Sequence, residues 1–236
     1  MLIYHRVYGG SVPTGDPFGV SRTQFGEHLD ELAESHEVVT VGEMLRRLQR
    51  PTQDKPLVAI SFDDGYECTH REAWPELQQR GLTATLFADT ARLDGDAPAL
   101  TIAALREMAE QGMEIGSHGV GHLDLTSLDE NGLRADVEES RAELTRILGA
   151  PPAGFAAPYG RFNDRTVAKV TEAGYDYLCT CRQDTTNVAS RDDLPLVSRL
   201  EVNSGDDVPR LRRKLAGDFA QVYRSWYRFT GEGESA

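Results

Sequence analysis

The chain has 236 residues, 39% hydrophobic and 27% charged, which is enough for one large α/β domain with its own core or two small ones. A formal net charge of −13 opposes nucleic acid and anionic lipid as partners, and no apolar run approaches the length of a membrane span. Three cysteines, Cys68, Cys179 and Cys181, make no disulfide framework; Cys179 and Cys181 lie two apart in a strand and read as small buried hydrophobes.

Residues 2–7 read as a first strand. They follow Met1 without a charged-then-apolar leader, so the expected compartment is the cytoplasm if Met1 is the natural start, and otherwise outside the cell after removal of a leader. A Gly/Pro-rich connection, 9–19, leads to Ser21-Arg22-Thr23-Gln24, a capping-box pattern opening a helix through about Leu32. Val38-Val39 is a short strand, and Thr40-Val41-Gly42-Glu43 opens a second helix that ends before Pro51. Leu57-Val58-Ala59-Ile60, bounded by Pro56, is a buried strand running into Ser61-Phe62-Asp63-Asp64-Gly65-Tyr66. A helix follows around 72–80, closed by Gly81.

The rhythm then repeats. A strand over 83–88 precedes a helix capped by Thr101 and stopped by Gly112. A strand over 113–117 runs into Ser117-His118-Gly119-Val120-Gly121-His122. Ser127-Leu128-Asp129-Glu130 caps a long helix with Leu133, Val137, Leu144 and Leu148 at helical spacing, ended by Gly149. A strand over 154–157 ends at Pro158-Tyr159-Gly160, and a helix over 163–173 stops at Gly174. Strands are expected over 177–181 and 197–202, and helix within 206–227. This alternation predicts a mainly parallel sheet, open or closed as a barrel, in one domain over 1–229 with a flexible tail at 230–236.

The polar clusters all follow strands, where parallel α/β folds build their sites. Two adjacent carboxylates ending a buried strand are costly, because burial and mutual repulsion both oppose their charge. Alternation along a strand points them in opposite directions, so one is able to bind a cation while the other does different work; the alternative is a plain surface turn. His118 and His122, four apart, are placed to aim both imidazoles at one ion. With a strand-end carboxylate they make a two-nitrogen, one-oxygen set that leaves positions for water and substrate.

Ser-Phe-Asp-Asp-Gly at 61–65, Ser-His-Gly-Val-Gly-His at 117–122 and Ala-Ala-Pro-Tyr-Gly at 156–160, in that order, resemble the polysaccharide deacetylase family, carbohydrate esterase family four. The likeness spans about residues 57–182. It implies a single-domain distorted (β/α) barrel with seven or eight mainly parallel strands, and hydrolysis of acetyl groups from N-acetylated amino sugars. It makes Asp64, His118 and His122 the ligands of a divalent metal ion, zinc by preference, with cobalt, nickel, manganese or iron compatible. Asp63 becomes the general base toward the attacking water, and the backbone N–H of Tyr159 a donor to the oxyanion. Pro158, Tyr159, Tyr66 and Arg199 are expected to contact the sugar. Phe18, Trp74 and Phe162 suit a sugar cleft or the core alike.

Three departures qualify this. Gly119 stands where the family usually has Ser or Thr to orient the loop. Ala156 stands where it has an arginine that positions the base; Arg199, Arg182 and Arg161 are the candidates to replace it. No histidine follows His122, so the usual Leu-x-His general acid is missing. Of the remaining histidines, His28 and His36 are expected in solvent and His70 near the Asp-Asp turn. His5 ends the first strand as Ile3-Tyr4-His5 and is expected to be the acid, because first and last strands are neighbours in a barrel. The rival readings are hydrolysis of another amide, such as a formyl group or non-sugar acetamide, and an inactive carbohydrate-binding homologue.

Overall fold

The computed structural model describes residues 1–49, 55–96, 98–182, 188–191 and 193–218. In chain order its strands are β1 (Leu2–Tyr4), β2 (Arg6–Tyr8), β3 (Gly19–Ser21), β4 (Glu37–Val39), β5 (Leu57–Phe62), β6 (Thr85–Ala88), β7 (Glu114–Ser117), β8 (Gly154–Ala156), β9 (Tyr177–Cys179), β10 (Val188–Arg191), β11 (Leu194–Val197) and β12 (Leu200–Glu201). Its helices are α1 (Arg22–Ser35), α2 (Val41–Leu48), α3 (Trp74–Gln79), α4 (Ile102–Glu110), α5 (Glu130–Leu148), α6 (Asp164–Glu172) and α7 (Val208–Leu215).

Eight strands run parallel in the order β11-β9-β8-β7-β6-β5-β1-β12, with β4 also on β5 and β10 antiparallel on β11. Only Ser198 and Arg199 separate β11 from β12, at opposite ends of that order. The three Cα steps from Val197 to Leu200 reach no more than about 11 Å, so the sheet must curve round until its two ends meet. The result is the distorted (β/α) barrel expected from the strand–helix alternation.

The period of two sorts each strand. On β5, Val58, Ile60 and Phe62 join the core shared with Phe25, Leu29, Leu77 and Leu105 of the helices. Ala59 faces the barrel interior with Phe87, Ala156, Tyr177, Cys179 and Val197. Ser61 and Asp63 continue that inward row. Side-chain caps start most of the helices: Ser21, Thr40 and Thr101 each accept from the backbone N–H three residues on.

Several expectations need correction. The first strand breaks at His5: β1 stays in the barrel while β2 pairs with β3 in a separate two-stranded sheet. The cap of α5 is Asp129, accepting from Gly132 N, because Leu125–Ser127 has already wound into a 3₁₀ turn. The expected strand 197–202 is two strands with Arg199 between them, preceded by a β10–β11 hairpin that pairs Ser190 with Pro195. Of the expected terminal helix, the part past residue 218 lies outside the described residues, as does the tail. Among the described residues no helix is long and apolar enough to cross a membrane.

His28 is buried rather than solvated. Its Nε2–H donates to the Asp206 carbonyl (2.7 Å), which leaves Nδ1 to accept from the Tyr4 hydroxyl (3.1 Å). His70 pairs with Glu107 at 3.2 Å and takes no part in the polar cluster at the rim. Trp74 is core.

Candidate active site

The barrel delivers its polar residues to one rim because each follows the C-terminal end of a parallel strand: His5 after β1, Asp63-Asp64 after β5, His118 after β7, Pro158-Tyr159 after β8 and Arg199 after β11. Asp63 prolongs the ladder, its N–H donating to the Tyr4 carbonyl (3.2 Å). Asp64 then turns into the left-handed region at φ 74°, which separates the two carboxylates more firmly than strand alternation would. His122 and Tyr159 share this unusual backbone, at φ 51° and 59°.

Asp64, His118 and His122 converge. One ligand atom from each lies within 4.8 Å of the others. Asp64 Oδ1 is buried and makes no hydrogen bond, although Nε2 of His122 lies 3.1 Å away and Nε2 of His118 3.5 Å away. Three donor atoms facing a common point, one of them an orphaned carboxylate oxygen, fit a divalent cation. His118 is oriented for that purpose: its Nδ1–H donates to the Ala156 carbonyl (2.8 Å), presenting Nε2 to the cluster. The His-x-x-x-His spacing acts through a compact loop, not a helical turn.

Asp63 stands beside this group, its Oδ2 3.9 Å from His118 Nε2. Arg199 grips it bidentately, Nη1 to Oδ1 at 2.6 Å and Nη2 to Oδ2 at 2.8 Å. Burial opposes charge on Asp63, but the Arg199 guanidinium and then His118 outweigh it, so its pKa falls below the ordinary carboxylate value. Burial likewise opposes charge on Asp64, and the two imidazoles beside it hold its pKa far below normal. His118 moves the opposite way: burial lowers its pKa, and the two carboxylates more than reverse that.

Arg199 was expected at the substrate; it is instead 0% exposed and cannot touch one. The guanidinium makes further contacts besides those to Asp63. Nε donates to the Thr180 carbonyl, Nη1 to Ser61 Oγ and Nη2 to Cys181 Sγ, and the guanidinium lies over the Phe87 ring at 5.4 Å. Of the other candidate arginines, Arg161 pairs with Asp124 at 2.8 Å and Arg182 lies over Phe162. Pro158 is buried too, so it shapes the Tyr159 turn and offers the solvent side nothing. Cys181 packs under that turn: a side chain on Gly160 (φ 68°) would meet the Cys181 nitrogen at 2.8 Å.

Tyr159 is 60% exposed, with its ring edge-on to His122 at 4.5 Å between centroids. Tyr66 is partly buried; its hydroxyl accepts from Arg6 Nη1 (3.3 Å), and Arg6 and Arg92 both lie against its ring. Arg6 is held in turn by Asp16. Across the rim, His5 lies 5.2 Å from the ring of the half-exposed Phe18, and its Nδ1 is buried without a partner. Burial lowers the His5 pKa, and the fields of Asp63 and Asp64 partly counter it.

The rim thus brings together three residues able to hold a cation and, beside them, a second carboxylate that is fixed but not part of that group, an arrangement suited to metal-assisted hydrolysis. Residues 50–178 match the polysaccharide deacetylase family, and the chain belongs to it. Enzymes of this family are metal-dependent carbohydrate deacetylases, acting on N-acetyl amide bonds. The chain is 28% identical over 210 residues to YxkH of Bacillus subtilis (strain 168), covering 87% of this chain and 71% of that one. It is 25% identical over 197 residues to a peptidoglycan-N-acetylglucosamine deacetylase of Bacillus cereus, covering 78% and 89%. It spans under half, 44%, of a chitin deacetylase from Pestalotiopsis sp, at 31% identity over 135 residues and 57% of this chain. In fold it is similar to the Streptococcus pyogenes deacetylase PplD, with TM-score 0.82, 22% identity, and 91% and 96% of the two chains covered.

Proposed function

We propose that the protein hydrolyses the acetamide of an N-acetylated amino sugar, in a polysaccharide, an oligosaccharide or a sugar-containing precursor, releasing acetate and a free amine. Asp64, His118 and His122 would hold the divalent ion, zinc by preference for this donor set, with cobalt, nickel, manganese and iron compatible. Bound there, the ion supplies Lewis acidity to an oxygen brought to the rim.

The observation that carries the reading is the Arg199–Asp63 pair. A protein that only binds sugar has no use for a buried carboxylate beside the cradle but outside it. Arg199 keeps Asp63 ionised and fixes its plane, so Asp63 is assigned as the base that accepts a proton from the attacking water. The backbone N–H of Tyr159 is assigned to the carbonyl oxygen as it gains negative charge. His5 is assigned as the acid that protonates the departing nitrogen, which cannot leave as an amide anion. Tyr66 and Tyr159 are placed to flank the sugar. The arginine that Ala156 lacks has moved to position 199, which weakens the case for an altered, non-sugar substrate.

The test is acetate release from N-acetylglucosamine oligomers by metal-loaded protein, wild type against Asp63→Asn. The wild type is expected to release acetate, and the variant to keep its metal while losing about 10²–10⁴-fold in rate. Wild-type protein that holds metal yet releases no acetate from sugars or small acetamides overturns the reading in favour of a binding protein.

A further inference from the structure

We propose that Asp136 is a positioning residue for the metal cradle, acting through the loop that carries His118 and His122; this rests on the metal-site reading above. Asp136 projects from α5 and is 5% exposed. Its Oδ2 accepts from two consecutive backbone N–H groups inside the His-x-x-x-His loop, Val120 at 3.1 Å and Gly121 at 3.4 Å.

The space for that carboxylate exists because residue 119 is glycine. A Cβ there would clash with Asp136 Oδ1, well inside van der Waals contact, and Gly119 has φ 82°. The side chain that the family motif usually carries at this position is thus replaced from outside the loop by a carboxylate on a neighbouring helix.

The remaining loop groups are held as tightly. Gly119 N donates to Ser117 Oγ, which is bonded to Ser140 Oγ one turn along α5 from Asp136. The Gly119 and Val120 carbonyls accept from the backbone N–H groups of Thr90 and Ala91. The loop's donors face α5 and its acceptors face the turn after β6. Asp136 is the member of this set nearest the middle of the histidine span, and one of its oxygens serves two consecutive N–H groups there. Without it the Val120 and Gly121 N–H groups lose their protein acceptor and the span between the imidazoles is free to relax.

The experiment is titration of metal-free protein with cobalt(II), read by the visible absorption of the bound ion, with near-ultraviolet circular dichroism to show that each variant is folded. Asp136→Ala is expected to weaken cobalt binding about 10–100-fold, the range for groups that orient metal ligands. Asp136→Asn, whose amide oxygen still accepts from both N–H groups, is expected to stay within about threefold of wild type. Gly119→Ala attacks the same contact from the loop side and serves if Asp136→Ala fails to fold. It is expected to weaken cobalt binding, and to do so less in the Asp136→Ala background, since backbone strain at 119 is common to both and cancels.

Equal affinity in wild type, Asp136→Ala and Gly119→Ala overturns the proposal, and so does equal weakening by Asn and Ala at 136. If the wild type itself binds no cobalt, the metal-site reading fails, and this proposal with it. If the wild type binds and Asp136→Ala binds alike, only this proposal fails.

Discussion

Arg199 donates through both terminal nitrogens to the two oxygens of Asp63, and lysine in its place keeps the charge while losing the fork. Arg199→Lys is therefore expected to bind metal normally yet lower kcat about 100-fold, because a base displaced by about an ångström no longer meets the water in line. Metal titration beside steady-state kinetics separates the two effects. His5 makes a different prediction. His5→Ala removes a proton donor and no metal ligand, so its loss in rate, about 10²-fold or more, should shrink for substrates whose leaving group needs no proton. Near-full turnover of sugar acetamides by His5→Ala removes His5 from the reaction. Asp63, Asp64, His118 and His122 were legible because motif and chemistry agreed on them. Asp136 was legible in principle, as a carboxylate three residues from Leu133 and eight before Leu144 on the buried stripe of α5. No short motif contains it, since its partners lie 15 and 16 residues away.

At the scale of elements, caps and glycine stops placed most helices within a turn, because those signals act locally. The β10–β11 hairpin escaped because Pro195 argues against a strand interior; the pairing of β11 with β9 begins only at Leu196, so Pro195 lies outside that ladder. His28 was misread although Phe25, His28, Leu29 and Leu32 follow the i, i+3, i+4, i+7 pattern of one buried face. Its burial has a pH consequence. His28 is held neutral between Tyr4 and Asp206, with a pKa below the ordinary value, burial being the main cause. Below the ordinary histidine pKa of about 6.5 the unfolded chain takes up a proton at this position that the native state refuses, so stability rises with pH across that window and is lost as pH falls through it. His28→Gln should flatten that part of the profile, measured as urea midpoints of metal-loaded protein from about pH 5 to about pH 7.5. Parallel profiles for wild type and variant would contradict the assignment.

Taken whole, the molecule gathers its rim from distant parts of the chain, and a ligand that spans β5 and β7 should tie them together. Metal at about 100 times its Kd is expected to raise unfolding stability by about 2.7 kcal/mol, and a chelator to remove that gain. Thermal unfolding with and without chelator measures it; an unchanged midpoint counts against the cradle. The seam between β11 and β12 carries a further consequence. β1 pairs Leu2 with Ile60 on one side and with Leu200 on the other. β1 can settle against β5 soon after β5 is made, yet its second edge waits for β12, which follows β5 to β11 in the chain. Arg199 immediately precedes β12. During synthesis Asp64, His118 and His122 are thus in hand well before Asp63 is gripped, so closing the β11–β12 seam is the step that fixes the Asp63 carboxylate.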